Sequence, residues 1–187
     1  MKLFWLSFLL SLTIGRNEVW KSEESLWAST VVASPAKARV HMALGNRYAD
    51  THRDEEALAQ YAEAFRLADN QSPFFYQAAA LVNMGRIYLD RGDLQKAGPF
   101  FVRALEFNPS SEQAEINMAV ILMRLGKSDL AMTVLNRASI EHPDSWAILF
   151  NQSEALRAQG FCQQAVGYFE QAKKSMPDLP QRPCFVR

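Results

Sequence analysis

The chain has 187 residues, 49% hydrophobic and 21% charged, with Lys+Arg and Asp+Glu both totalling 20. That is enough chain for one domain with a core or for a short repeat array, in the composition range of folded proteins. The balanced charge argues against nucleic acid as the main partner, because phosphate binding needs a basic excess or stripe, and it supplies no polybasic patch for anionic lipid.

Residues 3–14 (LFWLSFLLSLTI) are apolar apart from Ser7, Ser11 and Thr13, with Lys2 before them and Arg16 after. A membrane-spanning helix needs roughly 20 apolar residues, so this run has the length of a signal-peptide core. No small-residue cleavage pattern follows it. Residues 1–15 are therefore expected to be an uncleaved export signal, a short signal anchor, or the tail of a spanning helix. These readings make the chain membrane-associated, with its folded part on a non-cytoplasmic side. The alternative is a buried apolar capping helix in a cytoplasmic protein. Lys2 and Arg16 nearly balance across the run, so topology stays unassigned.

Residues 16–36 come next, and within them 18–33 (EVWKSEESLWASTVVA) are expected to form one helix. Trp27 stands 34 residues before Tyr61, as the second helix of a preceding half repeat would. From there a period governs the chain. Gly92, Gly126 and Gly160 are 34 residues apart, as are Ala97, Ala131 and Ala165. Phe101, Leu135 and Phe169 keep the step, as do Ala104, Ala138 and Ala172, and Pro109, Pro143 and Pro177. Upstream, Leu44-Gly45, Tyr48, Ala57, Tyr61 and Ala64 match Met84-Gly85, Tyr88, Ala97, Phe101 and Ala104 at an offset of 40, the extra residues falling in 69–77.

Each repeated position has a physical role. The alanines permit close helix crossing, and the bulky residue four places on shares their face. The glycines end first helices where a left-handed residue is wanted. The prolines stop second helices. The expected helix pairs are 37–50 with 54–67, 73–90 with 94–107, 111–124 with 128–140, and 145–158 with 161–175. Residues 37–177 then hold four repeats. Residues 178–187, with two prolines, form a tail outside the array.

This register of Gly, Ala, bulky and Pro positions at a 34-residue step resembles the tetratricopeptide-repeat family. The resemblance implies an all-α solenoid, a right-handed superhelix of antiparallel helix pairs that scaffolds protein interactions and catalyses nothing. It also implies that the first helices line a concave groove for a peptide or helix of a partner. Carried onto this sequence, the groove positions are Met42 and Asn46, then Val82, Asn83, Arg86 and Leu89. They continue as Ile116, Asn117, Val120 and Met123, and then Phe150, Asn151, Glu154 and Arg157. The lining is largely apolar with a few polar residues, which suits an amphipathic segment. The competing reading makes Ile116 and Val120 inter-repeat core and the asparagines backbone braces. Some relatives clamp a C-terminal carboxylate with basic residues, but Met42, Gln113 and Asn117 stand where those would be needed, so that mode is not expected. The adjacent aromatics Phe74, Phe75 and Tyr76 point in three directions on a helix, so at least one is expected outside the core.

Catalytic patterns are missing from the sequence. His41, His52 and His142 are scattered and form no metal-binding spacing, His41 having the place of a packed ring. No phosphate loop or nucleophile elbow occurs, and no cofactor is expected. The pairs Glu23-Glu24 and Glu55-Glu56 face apart on a helix and have the character of solvated faces. The last helix, about 20 Å long at 1.5 Å per residue, begins near Cys162. The tail to Cys184 can run back about that far when extended. In an oxidising compartment the two cysteines can pair; otherwise they are unrelated thiols. The sequence sets no oligomeric state.

One further resemblance rests on Arg16-Asn17, Trp20, Glu24, Leu26-Trp27, Pro35, Ala38, His41, Leu44-Gly45 and Tyr48. This junction is similar to the place where membrane-embedded protein O-mannosyltransferase-like proteins pass from their last spanning helix into a repeat tail. The resemblance implies an accessory or remnant repeat region without a transferase domain.

Overall fold

The computed structural model describes residues 21–68 and 73–180. The apolar run 3–14, Ser72 and Cys184 lie outside the described residues. So, through Cys184, does the expected cysteine pairing. Within the described residues every element is helical: α1 (Glu23–Ala33), α2 (Ala38–Asp50), α3 (Asp54–Leu67), α4 (Pro73–Asp90), α5 (Leu94–Phe107), α6 (Glu112–Arg124), α7 (Ser128–Glu141), α8 (Trp146–Ala158) and α9 (Cys162–Ser175). None of them is long and apolar enough to cross a membrane.

Where the expected starts differ, the differing residues are caps. Lys37, Ser111, Ser145 and Phe161 precede their helices in non-helical conformations. The Ser111 and Ser145 hydroxyls accept from the amides of Ala114 and Ile148 at 3.4 and 3.2 Å, satisfying donors that a helix start leaves open. The expectation for α1 needs correction: the helix starts at Glu23, not at 18. Ser22 is extended (φ −148°, ψ 156°) and closes a reciprocal capping box with Ser25, its amide donating to Ser25 Oγ at 3.2 Å while Ser25 N donates back at 3.1 Å.

The chain divides into two compact units, Met1–Ala80 and Leu81–Arg187, with the boundary inside α4. In the first unit α2 packs on α3, and α1 packs on α2. Tyr61 of α3 is fully buried and donates its hydroxyl to Asn46 Oδ1 at 2.9 Å. A Cβ added at Gly45 would lie 2.7 Å from the Tyr61 ring, so the helices meet at a distance only glycine allows. His41 is a packed ring, with Nδ1 2.8 Å from Gln60 Oε1 and Nε2 3.0 Å from the Pro35 carbonyl oxygen. The glutamates of α1 keep solvent access, the Glu23 side chain being 73% exposed, while Arg53 reaches Glu24 at 2.6 Å and Arg47 reaches Glu23 at 3.6 Å. Hydrogen bonds from Glu24 and then Glu56 raise the Arg53 pKa above its ordinary value. Phe75 is exposed, its ring edge-on to Tyr76 with centroids 5.3 Å apart.

In the second unit the same construction recurs with other side chains. A Cβ on Gly85 would meet the buried Phe101 ring at 2.8 Å. Sixteen residues likewise separate Ala119 from Leu135 and Ser153 from Phe169. In the first of these couples alanine shares a core cluster with leucine, which is smaller than a ring; in the second the ring of Phe169 is kept and is only half-buried. Ala119, Ala131, Leu135, Ala138, Ile148 and Ala155 form one core cluster across α6, α7 and α8, with Ile116 and Met123 packed against it.

First helices of the pairs end alike. Gly92, Gly126 and Gly160 have φ of 78°, 73° and 85°. Their amides, and those of the next residues, bond back in a Schellman pattern, for example Gly126 N to Met123 O at 3.0 Å and Lys127 N to Leu122 O at 2.8 Å. In α2 the equivalent residue is His52, with φ 57° and the same two bonds, His52 N to Ala49 O at 3.0 Å and Arg53 N to Tyr48 O at 2.9 Å. A side chain in the left-handed region is strained. The substitution His52→Gly is expected to stabilise the chain by about 0.5–1 kcal/mol, the relief exceeding the added freedom of the unfolded glycine. Urea denaturation checks this, and an unchanged or lower midpoint would show that the imidazole makes up the difference.

Candidate functional site

The last turn of α6 and the stretch of α8 from Phe150 onward, on two helices that pack against each other, border an open cavity of about 450 Å³ lined by Val120, Met123, Arg124, Phe150, Asn151, Glu154, Arg157 and Ala158. Helical spacing places them there. Val120 and Arg124 are four apart on α6, and Phe150, Glu154 and Ala158 form one row on α8. Phe150 is backed by Phe169 of α9, with ring centroids 6.3 Å apart.

The polar residues are arranged in pairs. Arg157 grips Glu154 with two nitrogens, Nε to Oε1 at 3.1 Å and Nη2 to Oε2 at 2.6 Å. The Glu154 side chain is 13% exposed and that of Arg157 32%. Hydrogen bonding to this carboxylate raises the Arg157 pKa above its ordinary value. Arg124 extends Nη1 to the Leu89 carbonyl oxygen at 2.7 Å, which fixes the side chain without cancelling its charge.

Six of the expected groove residues thus meet in one cavity: Val120, Met123, Phe150, Asn151, Glu154 and Arg157. Others are placed differently. Met42, Val82 and Leu89 are buried, 9%, 7% and 3% exposed, and offer no surface. Met42 and Val82 occupy one repeat position and Leu89 lies a further seven residues along, on the same helix stripe as Val82. On α6 that stripe carries Ile116 and Met123, which are half-buried against the core. Asn46 and Arg86 are exposed, and Asn83 and Asn117 half-buried. Asn151 donates Nδ2 to the Ala147 carbonyl at 2.8 Å, a backbone brace.

Arg124 and Ala158 had no place in the expected lining. Their signal was available in the four-residue spacing from Val120 and Glu154. Glu115 was also missed. It is 2% exposed on α6, accepting at Oε1 from Arg137 Nε and Nη2 at 3.0 and 2.8 Å, with Oε2 buried and unpartnered. Its repeat position holds His41, Leu81 and Leu149 elsewhere, so a lone carboxylate among bulky residues was the signal. Among the described residues no group of three or more His, Cys, Asp or Glu is placed to hold a metal ion.

Stacked antiparallel helix pairs, small-against-large couples and a cavity between successive first helices define a helical-repeat solenoid. Two tetratricopeptide-repeat family models match residues 42–112 and 88–160, and the chain belongs to the tetratricopeptide-repeat family. It is 35% identical over 81 residues to human "Protein O-mannosyl-transferase TMTC1", a match covering 43% of this chain and 8% of that protein. The matched segment is therefore less than a tenth of that relative's length. A crystal structure of MamA superposes with a TM-score of 0.61 at 18% identity, covering 81% of this chain and 85% of that one. The crystal structure of YrrB, described as a tetratricopeptide protein with an unusual peptide-binding site, gives 0.58 at 17% identity, covering 90% and 83%. At those identities the likeness speaks for the fold.

Proposed function

We propose that the chain is a non-catalytic protein-interaction scaffold whose second unit holds a short segment of a partner protein between α6 and α8. The carrying observation is the cavity itself, which has the volume of a ligand site, an apolar wall of Val120, Met123 and Phe150, and a few fixed polar groups. The peptide-binding site named for YrrB supports the same reading by fold. The test is affinity capture with the full chain and two variants. Phe150→Glu puts a charge on the apolar wall and is expected to reduce recovery of a partner at least about tenfold. Val102→Glu changes an exposed residue of α5 outside the cavity and is expected to leave recovery unchanged. Equal recovery with Phe150→Glu would move the binding face elsewhere.

A second reading draws on the 81-residue similarity to TMTC1. It makes the chain an accessory or remnant repeat region beside a membrane protein glycosyltransferase, held by residues 1–15 with its repeats on the non-cytoplasmic side. In that compartment Cys162 and Cys184 pair. Fractionation of the full-length protein is expected to place it with membranes, and thiol titration after non-reducing denaturation to find no reactive thiol. A soluble cytosolic protein with both thiols reactive would leave only the cytoplasmic adaptor.

A further inference from the structure

Taking the α6–α8 cavity as the partner site, we propose that it selects a segment carrying a bulky apolar residue with a carboxylate within one helical turn of it, the carboxylate being met by Arg124. The apolar half follows from the wall. Val120, Met123 and Phe150 face the cavity, and Phe150 rests on Phe169, so an inserted side chain meets a supported surface.

The acidic half follows from how charge is distributed around the rim. Glu154 and Arg157 neutralise each other through two hydrogen bonds. Arg124 bonds an uncharged carbonyl, and among the described residues it forms no ion pair. The lining therefore holds two guanidiniums and one carboxylate, an excess of one positive charge at the exposed Arg124. The carbonyl bond uses one terminal nitrogen of Arg124 and orients the planar group, leaving the rest of the fork to bind a carboxylate with little further ordering. A cationic residue at the same point would face like charge and an already paired Glu154.

The experiment is a selection of random displayed peptides on the immobilised full-length chain, followed by affinity measurement of the recovered peptides. Expected sequences join a large aliphatic or aromatic residue to Asp or Glu within four positions. Their affinity is expected to fall with salt and to drop about tenfold or more with Arg124→Gln. Arg124→Lys keeps charge and is expected to retain most binding. Thermal melts of each variant separate lost binding from a lost Leu89 contact. Peptides that are neutral or basic, or that bind Arg124→Gln as tightly as the parent, overturn the acidic preference. If those same peptides still lose binding with Phe150→Ala, the scaffold reading stands without it. Peptides indifferent to both substitutions, or none recovered, overturn both.

Discussion

Replacing Phe101 by alanine is expected to lower the unfolding free energy by about 3–5 kcal/mol, the usual cost of emptying a ring-sized site in a packed core. The phenyl is fully buried in the second unit, and its edge fills the space in front of Gly85. Gly85 has no side chain that could swing in to fill the gap. Val102, the next residue, is 50% exposed, and Val102→Ala is expected to change stability by no more than about 0.5 kcal/mol. Denaturant titrations of both variants check the contrast. A loss below about 1 kcal/mol for Phe101→Ala would mean that the 34-residue register does not mark the core.

The second large effect concerns the buried carboxylate of Glu115, and its two substitutions have opposite signs. Arg137→Ala removes the partner and is expected to cost about 1–3 kcal/mol, because a desolvated carboxylate then lacks both its bonds. The cost stays below that of a fully buried pair, since the Arg137 side chain is 65% exposed and water can partly replace it. Glu115→Leu removes the charge and fills the site with the residue found at positions 81 and 149. It is expected to raise stability by about 1–2 kcal/mol, as apolar replacement of a buried ion pair often does. Thermal melts decide this. Destabilisation by both changes would mean that the pair contributes net favourable energy here.

Much of the fold was legible because its signals are local and repeated. Pro109, Pro143 and Pro177 follow helix ends, and Gly92, Gly126 and Gly160 take the left-handed conformation their positions demanded. Gly85 and Phe101 both hold repeated positions, while their pairing across the two helices shows only in the contact itself. What was not legible depends on neighbours. Met42, Val82 and Leu89 belong to the stripe assigned to the groove, and whether such a stripe faces solvent depends on what packs over it. Glu115 broke the residue pattern, but its ion partner lies 22 residues away on another helix. His52 gave no warning, since histidine only rarely adopts the conformation glycine takes freely.

The contact between Gly45 and Tyr61, and between Gly85 and Phe101, has a bearing on how such a chain can diverge. A lone enlargement at either glycine collides with a ring that cannot move aside, while a lone trimming of the ring leaves a void. Divergence along either route passes through a less fit intermediate, so replacements at these sites are expected to arrive in correlated twos. The couple of Ala119 with Leu135 is what one completed exchange of that kind would leave behind.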